Sequence, residues 1–137
     1  MARLPGGREP RTPAARPVSA ADARREVLRL AEIGLGRPHA RLTRLGRATA
    51  DGSLASMIAG MDAHLGRPDD VIASLQTDST LARSTDLAVQ VPSIDPPPPF
   101  ILRSIALVAE VVAPALGWGR DAAQVGHVRV TTEPRGR

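Results

Sequence analysis

The sequence has no cysteine, no lysine and no tyrosine, and its only large aromatic residues are Phe100 and Trp118. Without cysteine there are no disulfides, no thiol nucleophile and no thiolate metal site. With so few aromatics the core must be built from Ala, Val, Leu and Ile. These fill helix–helix and helix–strand contacts but supply few large anchors. No apolar run approaches the roughly 20 residues of a membrane span. The N-terminal "MARLPGGREPRTP" is basic but lacks the apolar stretch of a signal peptide. The expectation is a cytoplasmic protein with no membrane partner.

Arginine is what the chain has in excess. All 18 basic residues are Arg, against 14 acidic residues, for a net charge of +4. A basic balance invites a nucleic-acid reading. The arginines are spread along the chain, however, and no aromatics interleave with them to stack on bases. Nucleic acid is therefore not an expected partner. The 137 residues fit one domain by length.

Residues 1–17, rich in Pro, Gly and Arg, read as a disordered or frayed arm, with a weak extended signal at 14–18. A helix is expected over 20–33, with Ser19 as N-cap and Asp22 in its first turn. Ala23, Val27, Leu30 and Ala31 give it one apolar face, and Gly34, Gly36 and Pro38 stop it. Residues 37–51 are ambiguous. A second helix is expected at 53–63. A third begins at Pro68, a first-turn proline followed by Asp69 and Asp70.

"DLAVQVP" reads as a strand over 86–91, buried on both faces as in a parallel sheet. Four prolines follow, Pro96 to Pro99, and then Ile101, Leu102, Ile105, Val108, Ala109, Val112 and Leu116 at helical spacing. Asp95 and Pro96 suit the N-cap and first position of that helix, and Pro114 ends it or tightens its last turn. Helix, buried strand, stiff loop and helix make the βα unit of a parallel α/β protein. The tail 119–137 reads as disordered.

The stretch "HLGRPDDVIASLQTDSTLARSTDLAVQVPSIDPPPPFILRSIALVAEVVAPALGW" resembles the C-terminal end of luciferase-like, flavin-dependent monooxygenases. Gly66, Pro68 and Val71 match the family's Gly-x-Pro-x-x-Val helix start. "DLAVQVP" is similar to its last barrel strand and "VAPALGW" to its closing helix. The upstream "ARPVSAADARREVLRLAEIGL" resembles the seventh strand and its helix, with Pro13 and Pro17 interrupting the strand. The likeness covers residues 14–118.

It implies an α/β fold: the C-terminal fragment of a (β/α)8 TIM barrel. About four helices and one or two parallel strands would be present, incomplete as a lone chain, since such a barrel takes about 250 residues. The units would occupy residues 18–118. The resemblance also implies FMN as cofactor and oxidation of a small organic substrate with O2. The isolated chain would be inactive, and self-association or a complementing chain would follow.

Two side chains are candidates for the flavin pocket. Gln90 lies in the last strand. Alternation sets Ala88 and Gln90 on one face and Leu87, Val89 and Val91 on the other. An amide among aliphatics needs hydrogen-bond partners if buried, so a structural hydrogen bond to a neighbouring strand is the other reading. His64 precedes the Gly66–Pro68 helix start; its alternative role is a histidine at a helix end, favoured by the dipole. Asp95 matches the family's acidic residue before the last helix, a role that an N-cap explains. Arg103 and Glu110 are expected to face solvent. His39 and His127 have no partners at metal spacing, so no metal site is expected. No catalytic residue is assigned.

A second functional class stays open: a small helical interaction protein, without enzymatic activity, using the apolar faces of 23–35, 54–61 and 101–116.

Overall fold

The computed structural model describes Gly7 and residues 10–48, 51–91 and 96–118. Three parallel strands, β1 (Pro13–Ala20), β2 (His64–Gly66) and β3 (Asp86–Gln90), form one sheet in the order β2-β1-β3. The helices are α1 (Arg24–Arg44), α2 (Leu54–Gly60), α3 (Pro68–Gln76) and α4 (Pro98–Leu107). A π-turn (Val108–Val112) and a last short piece, α5 (Ala113–Ala115), prolong α4. The chain is mixed α/β with a small parallel sheet.

Residues 13–17, expected to belong to a frayed arm, instead open the central strand. The register explains how two prolines are tolerated there. β3 pairs with Pro13 to Pro17 and β2 pairs only with Val18 to Ala20. Pro13 is the first strand residue. Pro17 pairs with Gln90 on one side and precedes the β2 ladder on the other. Each proline thus sits where one edge lacks a described partner, the position that a strand can give a residue without an N–H.

Ser19, expected as an N-cap, lies inside β1 and is buried. The helix starts four residues later, with extended Ala23 as its N-cap. Asp22 accordingly precedes the helix rather than lying in its first turn. Nor does α1 stop at Gly34, Gly36 or Pro38; it runs through all three. Its buried residues are Val27, Ala31, Gly34, Leu35 and His39, a stripe that keeps helical period across the break. Ala31 and Leu35 pack with Leu54, Met57, Ile58 and Met61 of the α2 region. Tertiary packing here outweighs local propensity.

The Gly66–Pro68 helix start is as expected. Pro68 is at the first position of α3, and the Arg67 N–H donates to Asp70 Oδ2 at 2.9 Å. Gly66 has φ +143°, and a Cβ there would come within 2.7 Å of Asp70. Only glycine fits without displacing that cap.

Two corrections concern the C-terminal unit. β3 is not buried on both faces: Leu87 and Val89 pack on the core, while Ala88 and Gln90 are exposed. It is an edge strand covered on one face. The helix begins at Pro98 with Pro97 as N-cap, not at Pro96; Asp95 lies outside the described residues. Its buried stripe is Phe100, Ser104, Leu107 and Val112, whereas Leu102 and Ile105 are 68% and 50% exposed. The anchor is polar: Ser104 Oγ accepts the Ala20 N–H at 2.9 Å and binds α4 to the end of β1. The π-turn has a local cause. Pro114 offers no N–H to the carbonyl of Glu110, and its ring crowds that carbonyl, so the helix widens just before it.

The main core joins Ala14, Val18 and Ala20 of β1 to Val71 and Leu75 of α3, Leu107 and Val112. Helices α3 and α4 therefore cover the same face of the β1–β3 pair. β3 and α4 form the expected βα unit, and α3 is the crossover from β2 to β3. The three-residue β2, on the far edge of β1, departs from the chain-order neighbours of a barrel. By length and composition Pro98–Ala115 could also cross a membrane, which the sequence reading did not find. Arg103 and Glu110 interrupt it. The expected tail 119–137, with His127, lies outside the described residues.

Candidate functional site

The register decides where the two candidate residues point. His64 pairs with Val18, and Gln90 pairs with Pro17. Neighbouring residues of a strand face opposite sides. His64 therefore shares the helix-covered face with Val18, and Gln90 projects from the open face with Ala15 and Ala88. The structure does not bring them together.

His64 begins β2 rather than ending a helix, and it is 7% exposed. Its Nδ1 lies 2.6 Å from Ser74 Oγ on α3. Its Nε2 lies 3.5 Å from Asp78 Oδ2 without hydrogen-bond alignment and has no hydrogen-bond partner among the described residues. Burial pushes the imidazole pKa down, against the pull of Asp78. Asp78 itself is held by Arg16, whose Nε donates at 2.6 Å and Nη2 at 3.3 Å. The guanidinium keeps the Asp78 carboxyl at about 2. Asp62, at φ +49°, turns the chain from α2 into β2 beside this group. A shallow polar pocket of about 340 Å³ opens over Arg16, His64, Ser74 and Asp78.

Ser74, His64 and Asp78 stand in the order of a nucleophile, base and acid. The chemistry does not follow. The carboxylate is already committed to Arg16, and the His64–Asp78 contact is too poorly aligned to orient the ring. The cluster ties β1, β2 and the end of α3 together. It lies at the amino end of β2, beside the end of α3, not at the carboxyl ends of the strands where parallel α/β proteins bind ligands.

At that carboxyl end stand other groups. Arg103 grips Asp22 through two 2.9 Å hydrogen bonds, so Arg103 faces solvent, as expected, but paired. Arg24 lies 3.5 Å from Asp70. Arg67 also acts on Asp22, so among the described residues three arginines share two aspartates at this end. Among the described residues no three His, Asp or Glu side chains converge on one point.

Gln90 is exposed, and no described residue hydrogen-bonds its amide. The open face beside it is made of small or imino side chains: Ala15, Pro17 and Ala88. A flat partner such as an isoalloxazine ring could lie on such a face, but walls are missing. The larger hollows are on the other side, along the free edge of β3. One of about 640 Å³ is lined by Leu87, Val89, Val108, Val112 and Trp118, and one of about 410 Å³ by Val89, Val91, Ile105 and Ala109. Both are open grooves between β3 and the α4 helix.

Sequence reasoning missed Arg16, Ser74 and Asp78. Arg16 and Asp78 are 62 residues apart, and only the strand register joins them. The one local hint was Arg16 set between alternating small residues of an extended segment.

No protein-family model matches the chain, and no curated protein matches it.

Proposed function

We propose that this chain is the C-terminal portion of a luciferase-like, FMN-dependent α/β enzyme and performs no flavin chemistry by itself. The observation that carries the reading is the one-sided cover of β3 and the start of β1; farther along that second face Ser19 is buried and Leu65 packs with Val27, Ala31 and Leu35 of α1. Parallel sheets are ordinarily covered on both faces. Here α3 and α4 cover one face, while Ala88 and Gln90 stand exposed on the other. In the proposed parent barrel that open face is the lumen side. Gln90 would then contact the flavin or the substrate there. His64, beneath the helices, takes no part in the pocket and acts as a structural residue.

Flavin supplies the redox chemistry when bound; the protein orients it and excludes water. A flavin site needs walls from several elements, and one small open face supplies only one. The parent reaction oxidises a small organic substrate with O2 in the cytoplasm, without nucleic acid or membrane.

The reading is tested by completion. The preceding six βα units of a luciferase-like barrel, joined to this chain, should give saturable FMN binding that Gln90→Ala weakens. A folded chimera with no FMN binding would overturn it.

The alternative, a non-enzymatic interaction module, is favoured by a different observation. Leu102, Ile105 and Val111 are exposed on the α4 side of the chain, and Ile33 on α1. Leu102 and Ile105, three residues apart on α4, are exposed aliphatics of the kind that mark an association site.

A further inference from the structure

The free edge of β3 has a pattern that the open-sheet reading does not explain. Its sequence, Asp86-Leu87-Ala88-Val89-Gln90, is symmetric in character about Ala88: polar, aliphatic, small, aliphatic, polar. Edge strands are usually guarded by lysine, proline or an inward charge. Within β3 the one charge is Asp86, and Arg11 already neutralises it, with Nε 2.9 Å from Oδ2. Among the described residues nothing pairs with this edge.

We propose that the β3 edge pairs with the β3 edge of a second copy, antiparallel about a twofold axis through Ala88. A twofold interface must be self-complementary, and this one is. With Ala88 opposite Ala88, Leu87 falls opposite Val89 of the partner, and Asp86 opposite Gln90. The aliphatic pairs lie on the helix side, where Leu87 and Val89 already line the grooves beside α4. The polar pairs lie on the open face, where the Gln90 amide can donate to the Asp86 carboxylate. No like charges oppose one another. Directly opposed side chains in an antiparallel pair have Cβ atoms about 4.5–5.5 Å apart. Ala88, small and exposed, lets the two strands meet without a clash.

The inference rests on the reading that β3 is an open edge, and the experiment separates the two. The chain has no cysteine, so an introduced one reports its own neighbours. Ala88→Cys should form an interchain disulfide in a large fraction of molecules under mild oxidation, since directly opposed Cβ atoms need close in by only about 1 Å to reach the separation a disulfide spans. Ala82→Cys, also exposed but outside the edge, should not. Leu87→Cys mixed with Val89→Cys should cross-link several-fold more than either alone. Sedimentation of the unmodified chain should show a dimer. Hydrogen exchange completes the test. A monomer with fast-exchanging β3 amides would overturn the dimer and leave the open edge standing. A monomer with protected β3 amides would overturn both. A dimer in which Ala88→Cys cross-links no better than Ala82→Cys would place the interface elsewhere and overturn this one.

Discussion

Arg16 and Asp78 meet across 62 residues of sequence, the guanidinium of β1 on the carboxylate that follows α3, with 13% and 11% of each side chain exposed. This pair holds the first strand to the helix that packs over it. Its partners are drawn from a segment that composition alone marks as an arm and from a loop with no motif.

The pair makes stability depend on acid. Asp78 lies at about 2 when folded against 3.8 ordinarily. A depressed carboxyl contributes stability that is full above the unfolded value and is lost as pH falls through the folded one. Asp78→Asn should therefore cost about 2 kcal/mol at neutral pH. By urea midpoint, the gap between the variant and the natural chain should narrow below about pH 4 and close only as the pH falls through about 2.

His64 titrates in the same sense for another reason. Burial first, opposed by Asp78, pushes its pKa below 6.5. The fold prefers the neutral ring, so stability should be present above the unfolded pKa and fall as pH drops through the folded one. His64→Gln should flatten the melting temperature against pH in that acid range. An unchanged slope would show that another group titrates there.

Gly66 should tolerate no side chain. Its φ of +143° and the 2.7 Å approach of Asp70 both resist a Cβ. Gly66→Ala should destabilise by about 1–3 kcal/mol. Pro98→Ala, at an exposed first helical position, should shift stability by about 1 kcal/mol or less. Denaturant midpoints measure both.

What the sequence made legible is unequal. The α3 start was clear because Gly66, Pro68 and the two aspartates act locally. So was the existence of β3 and α4, from runs of apolar residues. The length of α1 was hidden, because a buried stripe against α2 and β2 overrode two glycines and a proline. The first strand gave only a weak extended signal at 14–18, because its prolines are tolerated only by the register of its neighbours. The exposed face of α4 misled for a third reason: Ser104, a polar residue, is its fully buried anchor. Of the site residues, alternation set Gln90 on the face opposite Leu87 and Val89. The place of His64 depended on a three-residue strand that no local signal announces.

The most direct measurement is an FMN titration of the isolated 137-residue chain, followed by flavin fluorescence quenching, with O2 uptake recorded in the presence of reduced flavin. The bare patch around Ala15, Ala88 and Gln90 has too few walls to bury the ring. The expected result is no saturable quenching through the low-micromolar range and no O2 uptake above that of free reduced flavin. Saturable low-micromolar binding by a well-folded chain, weakened by Gln90→Ala, would contradict the claim that this sheet must be completed before it can hold a flavin.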